Sequence, residues 1–501
     1  MRNIIMGGAF PAKNKSGWAL ARLLLAALSV VAGCTVGPDF ARPNPPPVGR
    51  YTQAPQPAAT ARAAGQRQHF KQGAKIAAGW WRLFKSPKLD AVIKEAIVNS
   101  PGIQAAQAGL RQSRDFLQAG EGVFYPQVDA GFDAARQKFS QARFGGGPSS
   151  NIFNLYTLSA AISYALDVFG GERRRVEGLG AQVDFQRYLV LGTYLTLSGN
   201  IINTMIAQAA YREEINATEQ LIGLQEEQIK ITEAQAEAGT VPYANVLSLQ
   251  SQLASTEAIL PPLRQKLSQA KHLLAILAGH APAEWTPPEI GLADFTLPAE
   301  LPLSLPSDLV RQRPDILASE AGLHIASANM GVATAAMFPS FTLNGSYGLE
   351  STSLGSLFKK TGTIWSLGAS LTAPLFHGGT LSAERRAAID AYAQSLADYR
   401  QTVLGALAQV ADTLRGLEHD AETLNAQSKA LGAAEEALRL IQANYQAGTV
   451  NYLQVLIADD LYYQAKIGYL QAQAQRLQDT VALFVALGGG WWNAKATVPG
   501  A

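Results

Sequence analysis

The chain of 501 residues holds one cysteine, and what surrounds that cysteine points to a specific chemistry. Arg2, Lys13, Lys15 and Arg22 make a positive leading stretch, and Leu23-Leu24-Leu25-Ala26-Ala27-Leu28 begin a short apolar run. Val31-Ala32-Gly33 then lead to Cys34, with Val31 where leucine is more usual. The order is that of a secretory signal. A small residue directly before cysteine is what a lipoprotein signal peptidase requires, because the thiol is diacylated and becomes the new N-terminus. Residues 1–33 are expected to be a signal peptide, and Cys34 to carry diacylglycerol and an N-acyl chain. Several chains on one residue would hold the protein firmly to a leaflet. A buried cysteine in an ordinary signal peptide would leave this placement to accident, and with no second cysteine an internal disulfide is impossible.

Other reactive side chains form no such pattern. His69, His272, His280, His324, His377 and His419 are scattered without metal-ligand spacing, and Met330 and Met337 stand one heptad apart, as packing residues do. No glycine-rich phosphate loop follows a strand and no nucleophile elbow occurs, so no enzyme and no metal site is expected. Charged residues are 16% of the chain and the net charge is +2, which leaves no basic footprint for nucleic acid. Hydrophobic residues reach 48%, yet no run of about 18 apolar residues is present to form a spanning helix.

The elements that would carry function come in two copies. Ala238-Gly239-Thr240-Val241 recurs as Ala447-Gly448-Thr449-Val450, a shift of 209, and at that shift Leu247 meets Leu456 and Gly279 meets Gly488. Upstream, Pro101-Gly102-Ile103 matches Pro314-Asp315-Ile316 and Tyr125-Pro126 matches Phe338-Pro339, both at a shift of 213. Chance matches would not keep register over such a distance. The expected organisation is a lipid anchor and extended tether over 34–80, a first repeat over 81–290, a proline-rich linker, and a second repeat over 305–492.

Each repeat is expected to start with a helix of about 35 residues (86–120 and 306–336), followed by two strands, one very long helix, a turn and another helix. Val128, Ala130 and Phe132 alternate with Asp129, Gly131 and Asp133, and Phe341, Leu343 and Tyr347 alternate with Thr342, Asn344 and Gly348, the period-two pattern of strands with one apolar and one polar face. From about Glu172 to Ala238, and again from about Leu381 to Ala447, there is no proline and the composition favours helix. A helix of such length spans roughly 100 Å, more than a compact domain needs. Four strands cannot close a membrane barrel, since the smallest bacterial ones have about eight. Open edges cannot face lipid. A barrel must therefore be shared: two copies would supply eight strands, three would supply twelve. Phe124, Tyr125, Tyr156, Phe169, Phe338, Trp365 and Phe376 fall near strand ends, where interfacial aromatic girdles sit. Gly239 and Gly448 fall at the turns between paired helices, where a positive φ is required.

The chain resembles the TolC-type outer-membrane efflux proteins, and among them the acylated NodT/OprM-like lipoproteins. The resemblance rests on Cys34-Thr35-Val36-Gly37-Pro38-Asp39-Phe40 with Arg42-Pro43, on Gln312-Arg313-Pro314-Asp315-Ile316, on Ala373-Pro374-Leu375-Phe376 with Gly378-Gly379, and on Ala486-Leu487-Gly488-Gly489-Gly490-Trp491. It implies a mixed α/β membrane protein with four transmembrane β-strands and long helical rods per chain. It further implies a homotrimer with a twelve-stranded barrel and an α-helical periplasmic tunnel, lipid-anchored in the bacterial outer membrane. The implied partners are outer-membrane lipid, a periplasmic adaptor (membrane fusion) protein and an inner-membrane transporter of the RND class, with passive export of drugs or other small solutes. The exit duct of a protein secretion system and a non-conducting surface lipoprotein are the competing readings. In the family the tunnel closes at the periplasmic turns, so the tips Gly239, Thr240, Gly448 and Thr449 are expected at the gate. The family commonly places an acid six residues after each glycine; here those positions are Asn245 and Gln454, both amides. Tyr445 matches a tyrosine that latches helices in some relatives. The implied closure is by packing and hydrogen bonds around Tyr445, Leu453 and Gln454, without charge pairs.

Overall fold

The structure is a computed structural model that describes residues 35–140 and 150–493. The expected signal peptide and Cys34 lie outside the described residues. The chain divides into two compact units, one built from 35–41, Ser113–Gln182 and Gly322–Ser395, the other from Arg42–Gln112, Val183–Ala321 and 396–493.

Strand β1 (His69–Gln72) precedes helices α1 (Pro87–Asn99) and α2 (Pro101–Glu121). Strands β2 (Gln127–Ser140) and β3 (Ser150–Leu166) follow, then helices α3 (Gly171–Glu237), α4 (Tyr243–Glu257) and α5 (Leu260–Ala278). The second repeat supplies β4 (Glu300–Leu303), α6 (Pro306–Leu309), α7 (Pro314–Ala335), β5 (Ser340–Ser351), β6 (Thr363–Thr372), α8 (Thr380–Gln446) and α9 (Tyr452–Ala486). The two long helices have 67 residues each, within a residue or two of the proline-free stretches. The single opening helix expected in each repeat is instead two, because Pro101 and Pro314 each start a new helix rather than continue one. The helix after the first turn is likewise interrupted at Ala258 and Ile259, just before Pro261 and Pro262, whereas α9 runs unbroken for 35 residues.

In the first unit, β2, β3, β5 and β6 form one antiparallel sheet in that order. The ladder carries Val128 opposite Ile162, Ile162 opposite Gly345, and Gly345 opposite Leu367. One residue along, it carries Asp129, Ala161, Ser346 and Ser366. One face is thus apolar across all four strands and the other is polar or small, with Ser346 and Ser366 joined at 2.8 Å. Neither face is covered: every residue of β6 is exposed, Leu367 by 82%. Among the described residues, neither edge strand, β2 or β6, pairs with a further strand. Such a sheet is stable only where lipid covers the apolar face and another strand meets each edge.

The second unit has the deep core. Trp80, Phe84, Leu89 and Ile93 pack with Ile201, Met205 and Ile206 of α3, with Val410 and Leu414 of α8, and with Val481 and Phe484 of α9. Trp80 stacks on Phe484 at 5.1 Å. Strands β1 and β4 pair in parallel, which ties the tether to the linker. Two motifs of the resemblance meet here. The Arg313 guanidinium donates to Asp315, to Gln409 and to the Ala486 carbonyl, while Trp491 Nε1 donates to the Gln312 carbonyl at 2.8 Å.

Candidate functional site: the paired helix turns

The two turns between paired helices are built alike down to single hydrogen bonds. Gly239 (φ +72°) and Gly448 (φ +74°) are left-handed. The Thr240 N–H donates to the Gln235 carbonyl at 2.9 Å, and the Thr449 N–H donates to the Asn444 carbonyl at 3.0 Å. In each case the threonine hydroxyl donates to the same carbonyl, at 2.8 and 2.9 Å. This is the helix-ending arrangement in which a left-handed glycine lets the next N–H reach back five residues. Each glycine–threonine pair lies in the turn that ends one long helix and precedes the next.

Beyond the glycines the two turns diverge. Asn451 begins α9 with its side chain accepting the Gln454 N–H at 3.4 Å, whereas Pro242 begins α4 with no such cap. Tyr243 is 62% exposed, but Tyr452, its counterpart 209 residues on, is 9% exposed. Tyr452 packs with Ile229, Leu249 and Val455, and its ring meets that of Tyr445 edge-on at 5.6 Å. The Tyr445 hydroxyl donates to Gln235 Oε1 at 3.3 Å, so this tyrosine joins α8 to α3 as well as to α9. Gln454 and Leu453 are exposed, Leu453 by 60%, and Asn245 is half-buried. Among the described residues, no hydrogen bond links Asn245 to Gln454 within the chain.

Sequence reasoning leaves the placement of Asp459 and Asp460 open, and the structure separates the two. Asp459 lies two turns beyond Tyr452 on α9 and is 6% exposed, and among the described residues neither its Oδ1 nor the Tyr452 hydroxyl has a hydrogen-bond partner. Burial pushes the Asp459 carboxyl up to about 6, and burial, with Asp459 and Tyr445 adding to it, pushes the Tyr452 hydroxyl well above the usual phenol range. The heptad spacing of 452 and 459 was the available signal, since residues seven apart share a helix face. Asp460 is by contrast half-exposed and accepts from Gln464 at 2.7 Å.

Long helical hairpins with matched turns, together with an amphipathic sheet open at both edges, define a subunit of an outer-membrane channel. The sequence profile described as outer membrane efflux protein matches residues 92–280 and 305–489, and the chain belongs to that family. It is 30% identical over 416 residues to the pyoverdine export outer membrane protein OpmQ of Pseudomonas aeruginosa, covering 82% of this chain and 87% of that one. It is 27% identical over 479 residues to the probable outer membrane lipoprotein SilC of Salmonella typhimurium, covering 94% and 98%. Among solved structures, the outer-membrane channel OprN superposes with a TM-score of 0.83 at 26% identity, covering 91% of this chain and all of that one. The protein is therefore an outer-membrane channel component of efflux pumps, reaching into the periplasm, and its family is not enzymatic.

Proposed function

We propose that three copies of this chain close one twelve-stranded barrel and one helical tunnel, and that Cys34 holds each copy in the membrane through diacylglycerol and an N-acyl chain. The single observation that carries the reading is the bare sheet. Its apolar face, free edges and polar opposite face are satisfied together by lipid outside, neighbouring copies on either side and water within. The number three is the one the family resemblance implies, and the likeness to SilC, named a probable lipoprotein, supports the anchor.

In this reading the turns at Gly239, Thr240, Gly448 and Thr449 form the periplasmic end. Asn245, Tyr445, Leu453 and Gln454 line or brace the aperture, a periplasmic adaptor docks there, and an RND transporter supplies the energy. The cargo is a small solute, a class to which the likeness to a pyoverdine exporter lends weight. The mass of the detergent-solubilised protein, measured by light scattering, should equal three chains, and a monomer would sink the proposal. Deleting the gene should then raise sensitivity to some members of a panel of small toxic solutes.

A further inference from the structure

The six residues after Cys34 are fastened to the end of the sheet far more tightly than a tether requires. Thr35 packs on Gly170 (φ +79°), where a Cβ would come within 2.6 Å of the threonine side chain. The Val36 N–H donates to the Phe169 carbonyl at 3.0 Å. Gly37 (φ +89°) lies so close to Gly331 that a Cβ there would sit 2.7 Å from its Cα. The middle member of Arg173-Arg174-Arg175, at the start of α3, is 4% exposed and spends its donors on this segment. Arg174 donates to Asp39 Oδ1 at 2.6 Å, to the Gly37 carbonyl at 3.3 Å, to the Val36 carbonyl at 3.5 Å and to Glu177 at 2.7 Å. Glu177 in turn meets His324 Nε2 at 2.8 Å, and Phe40 stacks on the His324 ring at 4.2 Å.

A buried guanidinium is expensive to desolvate unless its donors are met in fixed geometry, and here two main-chain carbonyls and two carboxylates meet them. A slack tether of about two dozen residues would let an anchor roam over roughly 25–30 Å. With Thr35 fixed, the next Cα toward the N-terminus is held within about 3.8 Å of it.

We infer that Thr35–Phe40 is a latch that sets the depth of the lipid anchor, with Arg174 as its positioning residue. The acyl chains on Cys34 enter the periplasm-facing leaflet level with Leu166–Gly171, where β3 ends and Phe169 stacks on Phe338 at 4.7 Å. The lipid headgroups therefore meet the protein at the sheet-to-helix junction. The inference rests on acylation of Cys34, which is proposed above and is measured separately below.

The full chain is purified from outer membranes and placed in phospholipid nanodiscs, as wild type and as Arg174→Ala, Arg174→Lys and Asp39→Asn. The mass of the N-terminal peptide reads acylation, and hydrogen exchange of residues 35–40 reads the latch. All four proteins should be equally acylated. Exchange at Val36 should quicken about 100-fold in Arg174→Ala, nearly as much in Arg174→Lys, and about tenfold in Asp39→Asn, which changes only the tether. A nitroxide on Val168→Cys, the one thiol then free, should report headgroup depth. Unchanged protection in both Arg174→Ala and Asp39→Asn, or a nitroxide depth in bulk water, overturns the latch. An unacylated wild type overturns the anchor reading, and this inference with it, whatever the exchange rates.

Discussion

The two helix turns start from the same sequence, close with the same hydrogen bonds and then bury different things. In the first repeat Tyr243 and Gln250 face outward, and the chain continues into a helix that breaks after Glu257. In the second, Tyr452 and Asp459 occupy the matching positions and are buried, on a helix that continues unbroken. Duplication thus preserved the turn, whose geometry is fixed by glycine and two carbonyl contacts, and released the flanks. A buried hydroxyl and a buried carboxyl oxygen without partners lower the local stability of the second turn relative to the first. Under the proposed gate, the second turn is accordingly the one expected to move on opening.

The largest test of this asymmetry is apolar. Leu249 is 1% exposed beneath Tyr452, while the matching position in the second repeat is already Ala458. Leu249→Ala should cost about 2–5 kcal/mol. Hydrogen exchange at the second turn would register it, and unchanged protection there would mean that the two turns do not share a core.

Next comes Asp459. Its carboxyl is raised from 3.8 to about 6 by burial. The folded state therefore holds a proton that the unfolded state has released, so the contribution to stability is full below the unfolded value and lost as pH rises through about 6. At neutral pH the loss is about 3 kcal/mol. Asp459→Asn should abolish that slope between pH 4 and 7 and leave the protein more heat-stable at pH 7. Gln250→Asp, at the exposed counterpart, should add no comparable slope, and matching slopes would break the comparison.

Smaller effects probe the shared part. Gly239→Ala and Gly448→Ala should each cost about 1–2 kcal/mol, and by similar amounts, because both glycines are left-handed. A large difference between them in a thermal melt would show that the turns are not equivalent. Tyr452→Phe removes a buried hydroxyl without a partner and should change stability by under about 1 kcal/mol, in the stabilising direction. Tyr243→Phe should leave the melt where it is.

Much of this architecture was legible in the sequence because it repeats. A shift of 209 between Gly239 and Gly448 located both turns, and the absence of proline bounded two 67-residue helices. Alternation in Val128–Phe132 and Phe341–Tyr347 gave the faces of the sheet, which the cross-strand register then aligned across four strands. What stayed hidden was side-chain burial within long helices of mixed composition. Arg173-Arg174-Arg175 looks like a solvated run, and only packing singles out the middle arginine. Asp459 and Asp460 are neighbours of one type, yet one is enclosed and the other reaches Gln464. Pro101 and Pro314 open new helices because proline is well suited to a helix's first turn, so the residue type alone does not mark where one helix ends and the next begins.

The central proposal is a channel whose periplasmic end closes without charged residues at Asn245 and Gln454. Single-channel conductance of the reconstituted protein tests it most directly, with divalent cations added at millimolar concentration on the helical side. The account predicts small conductance steps that the cations leave unchanged, and a strong cation block once Asn245→Asp and Gln454→Asp are combined. Strong block of the wild type, or no conductance at all, would contradict it.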